Sequence, residues 1–248
     1  MPKDLFSNHA ALYSKFRPTY PKELYEYIIS FVDKKDIAWD CATGNGQAAI
    51  ALADYFKKII ATDISEDQLR NAVVKPNIIY KISTAEKTPF PDGTFDLITV
   101  ATAYHWFQWD AFYQEATRVG RNGSVVAIWT YYTCESNDEK LNNLYHHFYR
   151  NVTHSYWEYE RRYVDDKYET VPFDFEPLPS KQFFPKVIWT RKQFAGYLES
   201  WSAVQKFIKK NNVSPLKEIE EELKSIWADD ETKEIIFPIA LRLGRIVK

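Results

Sequence analysis

The sequence predicts an α/β protein built on a doubly wound, mostly parallel sheet. Short apolar runs alternate with segments of helical periodicity, and they lie at residues 37–42, 58–63, 78–82, 95–101 and 124–131. This alternation is typical of parallel strands joined by right-handed helical crossovers. A glycine loop follows the first run and an acidic residue ends the second, which indicates a nucleotide site at the carboxyl edge of the sheet.

The segments around these runs are assigned from their periodicity and their turn residues. We predict helices at residues 21–31, 46–56, 65–74 and 109–119. Pro91-Asp92-Gly93 is a turn signal just before the fourth strand. Further along the chain we predict a strand at residues 183–189, helices at 190–204 and 215–227, and a last strand at 234–247. The two later helices begin with N-cap patterns, Thr190-x-x-Gln193 and Ser214-Pro215.

The glycine loop Gly44-Asn45-Gly46 joins the first strand to the next helix. Such a joint exposes backbone N–H groups to a ligand. The pattern Gly44-x-Gly46-x-x-Ala49 also fits the dinucleotide fingerprint. Asp40 separates the candidate ligands, because a carboxylate there would repel a pyrophosphate but would suit an ammonium and a sulfonium. The loop therefore favours S-adenosylmethionine over a nicotinamide dinucleotide.

The second apolar run ends in Asp63, nineteen residues after Gly44. An acid at this place accepts hydrogen bonds from both ribose hydroxyls of an adenosine. Alternatively, Asp63 could simply begin the next helix. Because Ser65-x-x-Gln68 already offers a capping box there, we expect Asp63 to be available for the ligand, and we predict adenosine binding.

Composition bounds the class of protein. The chain has 248 residues, which fits a single elaborated domain, and a net charge of −2 with dispersed Lys and Arg argues against a nucleic-acid partner. Cys41 and Cys134 are interpreted as reduced residues of a cytoplasmic protein. No apolar run approaches the length of a membrane span, so no membrane partner is expected. Adjacent His146-His147 cannot chelate one ion, and no recognised zinc spacing occurs, so no metal is predicted.

Residues 132–180 interrupt the alternation of strands and helices. The stretch is rich in aromatic residues, holds three of the five histidines and closes with several prolines. An insertion after the fifth strand lies above the carboxyl ends of the sheet, where ligands bind. We interpret it as a helical aromatic cap within a single domain spanning residues 1–248. The alternative, a satellite core held together by the same aromatic rings, is also open.

Four segments resemble the class I S-adenosylmethionine-dependent methyltransferases. They are Asp40-Cys-Ala-Thr-Gly44-Asn-Gly46, Ala61-Thr62-Asp63-Ile64-Ser65, Ala85-Glu86-Lys-Thr-Pro-Phe90 and Phe95-Asp96-Leu97-Ile98. The small-molecule branch similar to trans-aconitate methyltransferase matches further, through Tyr13-x-x-x-Arg17-Pro18-x-Tyr20-Pro21 and His105-Trp106-Phe107. The resemblance implies a seven-stranded Rossmann-like sheet with a terminal antiparallel hairpin. It also implies S-adenosylmethionine as cofactor and a small-molecule acceptor, such as a carboxylic acid.

The resemblance implies roles for individual residues. The expected cofactor-binding residues are Tyr13, Arg17, Asp40, Ala42, Gly44, Gly46, Asp63, Ile64, Ala85, Glu86, Ala101 and Thr102. Among these, Glu86 is expected to meet the adenine amine, and the carbonyls of Ala101 and Thr102 the methionine ammonium. The expected substrate-pocket residues are Tyr20, His105 and Trp106. Ala42 departs from the family, which has glycine there, and its methyl group is tolerated if φ stays negative.

Two of these residues have several possible roles. The Arg17 guanidinium could clamp the methionine carboxylate, hold a carboxylate of the acceptor, or fix its own segment to the domain. His105 could be a general base, a polar contact to the substrate or a wall of the pocket. We favour the wall or an orienting contact, because an ionised carboxylate acceptor needs alignment and not deprotonation.

Three other functions compete with a small-molecule methyltransferase. An NAD(P)-dependent oxidoreductase is disfavoured by Asp40. A catalytically silent S-adenosylmethionine-binding module gains weight from Ala42. A methyltransferase acting on macromolecules is disfavoured by the lack of a basic stripe. We expect the protein to be a monomer or a homodimer.

Overall fold

A seven-stranded sheet organises the computed structural model, which describes residues 16–248. The strands of the chain are β1 (Ile37–Cys41), β2 (Lys58–Asp63), β3 (Ile78–Ile82), β4 (Phe95–Ala101), β5 (Gly120–Tyr131), β6 (Glu135–Ser136), β7 (Glu176–Pro177), β8 (Lys186–Thr190), β9 (Thr232–Ile236) and β10 (Ile239–Arg245). The order in the large sheet is β3-β2-β1-β4-β5-β10-β7. β1 to β5 pair in parallel, whereas β10 is antiparallel to both of its neighbours. The predicted doubly wound, mostly parallel fold is confirmed.

Helices cover both faces of this sheet. They are α1 (Lys22–Ile29), α2 (Gln47–Leu52), α3 (Glu66–Arg70), α4 (Trp109–Val119), α5 (Glu139–His147), α6 (Arg161–Asp165), α7 (Arg191–Glu199), α8 (Ser202–Asn211) and α9 (Glu220–Ile226). In α1 the residues Leu24 and Ile28 share one face and are fully buried. Across the described range, none of the helices is long and apolar enough to cross a membrane.

The core consists of one hydrophobic cluster on each face of the sheet. Successive residues of β1 show the arrangement, since Ala38 belongs to one cluster and Trp39 to the other. Both are fully buried, as expected for a central parallel strand. The indole of Trp39 donates a hydrogen bond of 2.9 Å to Oγ1 of Thr62, so its only polar atom is satisfied. The strand order reverses between β1 and β4, which is where such a sheet opens a crevice for ligands.

The carboxyl-terminal third differs from the prediction in its breaks and pairing. The predicted helix at 190–204 is two helices, α7 and α8, separated at the buried Trp201. The predicted helix at 215–227 is a 3₁₀ turn, Pro215–Glu218, followed by α9. The predicted strand at 234–247 is divided into β9 and β10, because Pro238 lies between them and cannot donate a ladder hydrogen bond.

The pairing of β8 corrects the expected terminal hairpin. β8 and β9 pair with each other and with β6 in a separate three-stranded sheet. The large sheet is completed instead by β10 and by the two-residue strand β7. Because β7 lies at Glu176–Pro177, the stretch predicted to be an insertion already contains a strand of the main sheet.

The rest of that stretch is helical and aromatic. It contains α5, a π-helical turn at Phe148–Val152, a 3₁₀ turn at His154–Tyr156 and α6. The ring centroids of Tyr149 and Trp157 lie 5.7 and 5.4 Å, respectively, from the ring centroid of Trp201. These rings pack with α7 and α8, and Tyr149 and Trp201 belong to the same hydrophobic cluster as Ala38 of the main sheet, so the segment is joined to the core on that face.

Candidate functional site

A cavity of about 270 Å³ opens at the carboxyl ends of β1, β2 and β4. It brings together most of the residues singled out in the sequence: Tyr20, Ala42, Gly44, Asp63, Ile64, Ala85, Glu86, Ala101, Thr102 and Trp106. Its position is the one that the reversal of strand order predicts. Arg17, Asp40, Gly46 and His105 lie outside its wall, and Tyr13 lies outside the described residues.

The glycine loop has the backbone conformation that glycine permits. Gly44 and Gly46 have φ of +56° and +86°. A Cβ atom on Gly46 would lie 2.3 Å from the hydroxyl oxygen of Tyr80. Gly46 is thus packed against Tyr80 at the start of α2, while Gly44 and Asn45 face the cavity. Only glycine fits at position 46, for reasons of both conformation and space.

Two residues other than glycine also have positive φ at this edge. Ala42, just after β1, has φ of +53°, and Thr102, just after β4, has the same value. The condition under which the methyl group of Ala42 is tolerated without strain, a negative φ, is therefore not met. Left-handed backbone at a residue with a Cβ atom costs about 1–2 kcal/mol. Both residues line the cavity, and strained residues of this kind concentrate at functional sites.

Asp63 connects the two loops on either side of the cavity. Its Oδ2 accepts a hydrogen bond of 2.8 Å from the backbone N–H of Gly44, and its Oδ1 accepts one of 2.9 Å from that of Ser65. The Ser65 hydroxyl caps α3 as predicted, because it accepts from the backbone N–H of Gln68. The sequence analysis expected Asp63 to take no part in this turn. In the structure it does take part, because its carboxylate accepts a hydrogen bond from the backbone N–H of Ser65.

Asp40 lies beneath the glycine loop. Its side chain is fully buried, and its carboxylate accepts hydrogen bonds from the hydroxyls of Thr43 and Thr99. Burial raises the pKa of Asp40 to about 6, against the opposing effect of these two hydroxyls. The expected direct contact with a cationic ligand is thus not what the structure shows, because the carboxylate points at the loop and not into the cavity.

Glu86 and its neighbours form the side of the cavity next to β3. Oε1 of Glu86 accepts a hydrogen bond of 3.1 Å from the backbone N–H of Gln108, which ties this loop to the start of α4. Ile64 lines the same side and is 38% exposed. Phe90, the last residue of the Ala85–Phe90 segment, is buried in the core, and its ring centroid lies 6.2 Å from that of Trp39.

His105 and Trp106 point in different directions from the 3₁₀ turn at Tyr104–Trp106. Trp106 lines the cavity, whereas His105 is buried and its Nδ1 lies 2.8 Å from the hydroxyl oxygen of Tyr168. Burial, and secondly the charge of Arg161, lower the pKa of His105 to about 3. The imidazole thus lies behind the described part of the cavity wall with Tyr168 as its partner, and the roles expected for it remain predictions.

The segment before α1 contributes Tyr20 to the cavity and Arg17 to the fold. Nη1 of Arg17 donates to the Tyr131 hydroxyl at 2.7 Å, and Nη2 donates to the Ser200 carbonyl at 3.2 Å. Of its three proposed roles, the structure matches the one that fixes the segment to the domain. The hydroxyls of Tyr20 and Thr102 lie 2.9 Å apart, which places Tyr20 over the end of β4.

Several lining residues are not among those predicted. They are Thr43, Asn45, Gln47, Ala48, Ser65, Gln68, Ser83, Ala103, Phe107 and Glu160. Most adjoin a predicted residue in the same loop, so adjacency to the motifs would have found them. Glu160 has no such signal, because it comes from the stretch between β6 and β7. In the part of the chain that is described, no three His, Cys, Asp or Glu residues are grouped as metal ligands.

Comparison with known proteins agrees with this site. A family model described as a methyltransferase domain matches residues 39–128. A Dictyostelium discoideum protein named as a methyltransferase is 37% identical over 249 residues, which cover 98% of this chain and 95% of that protein. CRG1 of Saccharomyces cerevisiae, named as an S-adenosylmethionine-dependent methyltransferase, is 25% identical and is matched over 87% of each chain.

Among solved structures, one described as a type II methyltransferase from Anaeromyxobacter dehalogenans has a TM-score of 0.86 and 34% identity. The match covers 94% of this chain and 99% of that chain. Fold, cavity and relatives agree with one another. The chain belongs to the class I S-adenosylmethionine-dependent methyltransferases, and S-adenosylmethionine is its cofactor.

Proposed function

We propose that this enzyme methylates a small-molecule acceptor that binds in the same cavity as the cofactor. The observation that carries the proposal is the continuity of the cavity from Gly44 and Asp63 to Tyr20 and Trp106. The residues expected for the cofactor and those expected for the acceptor thus share one space. Bound S-adenosylmethionine supplies a methyl group already activated by the sulfonium.

The residues present fit this cofactor. The loop from Ala42 to Asn45 would hold the methionine end, because Gly44 leaves its backbone there without a side chain. Asp63 would accept hydrogen bonds from the ribose, and Ile64, Ala85 and Glu86 would surround the adenine. The carbonyls of Ala101 and Thr102 would meet the ammonium.

On the acceptor side, the task of the protein is alignment and exclusion of water. Tyr20, Thr102, Trp106 and Phe107 supply the walls for this purpose. The described part of the lining contains three carboxylates and no Lys, Arg or His. It therefore supports a neutral or cationic acceptor better than the carboxylic acid that the resemblance to trans-aconitate methyltransferase suggests.

We also propose that residues 1–248 act as one domain with residues 132–180 as its cap. The support is Glu160, which reaches the cavity from this stretch. We further propose that the enzyme works in the cytoplasm as a monomer or homodimer without a nucleic-acid partner. The net charge of −2 and the two buried free cysteines support this.

Calorimetric titration with S-adenosylmethionine and with NADH tests the donor. We expect binding of the first and none of the second. A donor-dependent screen of small amines, phenols and carboxylic acids, read as release of S-adenosylhomocysteine, then tests the acceptor. Cofactor binding without turnover on any small acceptor would favour the catalytically silent module instead.

A further inference from the structure

One acidic side chain of the cavity differs from the others in its surroundings. Glu160 lines the cavity together with Asp63 and Glu86. We propose that Glu160 determines acceptor specificity by selecting molecules that carry a positively charged group and by excluding carboxylates. This inference rests on the proposed function and names the chemical class of its acceptor.

The position of Glu160 places it on the acceptor side. Glu160 immediately precedes α6, and α6 packs against the turn that carries Trp106. The cofactor loops follow β1, β2 and β3, whereas Glu160 approaches from the stretch above the sheet. Glu160 therefore reaches the cavity from a different part of the chain than the expected cofactor-binding residues.

The carboxylate of Glu160 differs from the other two in its partners among the described residues. Asp63 accepts hydrogen bonds from two backbone N–H groups, and Glu86 accepts one. Within residues 16–248, no hydrogen bond or ion pair reaches the Glu160 carboxylate. The adjacent Arg161 is directed elsewhere, to Asp165 and the Tyr149 hydroxyl. A carboxylate at a partly enclosed site without a partner gains from binding a cation.

The remaining walls favour a cation as well. Tyr20, Trp106 and Phe107 line the same cavity as Glu160. Aromatic faces attract cations electrostatically, most strongly where water is excluded. An anionic acceptor would meet carboxylates without any Lys, Arg or His on the described part of the wall. Attraction of a cationic acceptor and repulsion of an anionic one therefore both favour a cation in this cavity.

The cofactor is itself a cation, so the experiment must separate the two ligands. The protein is first saturated with S-adenosylhomocysteine, which fills the donor side but lacks the sulfonium charge. Benzylammonium, benzyl alcohol and benzoate are then titrated, because they have similar shapes and differ in charge. Binding is followed by calorimetry and by tryptophan fluorescence.

We expect benzylammonium to bind at least about tenfold more tightly than benzoate, since hydrogen bonds to charged groups are of this strength. Glu160→Gln should weaken benzylammonium about tenfold and leave benzyl alcohol within about twofold. Glu169→Gln is the matched control, because it makes the same change of charge in the same stretch at an exposed residue outside the cavity wall. It should have no effect on the three probes.

Three results would overturn the inference. The first is equal affinity for the three probes, which includes the absence of binding of all three. The second is a preference for benzylammonium that persists in Glu160→Gln. The third is a variant Glu160→Gln that binds S-adenosylmethionine more weakly but S-adenosylhomocysteine as tightly as wild type. The last result would assign Glu160 to the sulfonium. Failure of the proposed function is separate, because it would appear as cofactor binding by the wild-type protein without release of S-adenosylhomocysteine on any small acceptor.

Discussion

The backbone N–H of Gly44 donates a hydrogen bond of 2.8 Å to Oδ2 of Asp63. The bond joins the loop after β1 to the end of β2, and both residues line the cavity. Because the other oxygen of the same carboxylate holds the N–H of Ser65, one side chain organises two loops. We therefore expect cofactor binding and the geometry of these two loops to be coupled through Asp63.

Asp63→Ala should bind S-adenosylmethionine about 10- to 100-fold more weakly. The expected loss of about 1.5–3 kcal/mol is that of hydrogen bonds to a charged group. Calorimetry at constant pH measures it. Glu66→Ala is the control, since it removes a nearby carboxylate whose exposed ion pair with Arg70 contributes little. Wild-type affinity in Asp63→Ala would show that the end of β2 is not the ribose site.

Ala42→Gly should stabilise the protein. Glycine removes a left-handed strain of about 1–2 kcal/mol, and the added freedom of the unfolded chain opposes this by about 0.5–1 kcal/mol. The net gain should raise Tm by about 2 °C in a chain of this size, measured by calorimetric scanning. Ala51→Gly within α2 lacks that strain and should lower Tm. A lower Tm in both variants would contradict the positive φ at Ala42.

His105→Ala should lower turnover by less than about tenfold. General-base catalysis typically contributes about 10²–10⁴-fold, and the buried imidazole has no contact with the cavity. The profile of kcat against pH should keep its shape between pH 6 and 7, because the pKa of His105 is lowered to about 3. A loss above a hundredfold at unchanged cofactor affinity would return His105 to the role of base.

Asp40 should make the free energy of unfolding depend on pH. Burial raises its pKa to about 6 in the folded state, so between pH 4 and 6 the folded state binds more protons than the unfolded state. Its contribution is therefore favourable below about pH 4 and is lost as the pH rises through 6. Relative to wild type, the free energy of unfolding of Asp40→Asn should increase by about 3 kcal/mol between pH 4 and pH 7, measured by urea unfolding.

His105 should make the free energy of unfolding depend on pH in the opposite direction to Asp40. With its folded pKa lowered to about 3, the unfolded state binds the proton first as the pH falls below about 6.5. The stability that depends on neutral His105 is present above pH 6.5 and is lost as the pH falls. The free energy of unfolding of His105→Gln, relative to wild type, should therefore increase as the pH falls. That of Asp40→Asn, relative to wild type, should increase as the pH rises to neutral. Parallel changes in the two variants would contradict one of these assignments.

The parallel sheet, the glycine loop and the edge of the sheet at which the cavity opens could all be predicted from the sequence. Each depends on short-range features: apolar periodicity, residues that permit positive φ, and the spacing from Gly44 to Asp63. Ten of the predicted site residues line one cavity for this reason. Once the strands are parallel, the loops after β1, β2 and β4 meet at the same edge.

Which side chains face that edge depends on long-range packing and could not be predicted from the sequence. Asp40 turns to Thr99, which lies on a neighbouring strand, and His105 turns to Tyr168, 63 residues later. Arg17 binds near Ser200, and Glu160 reaches the cavity from above the sheet. No local pattern encodes these directions, because the orientation of a polar side chain follows the partner that satisfies its hydrogen bonds, and these partners are brought close only by the packed fold.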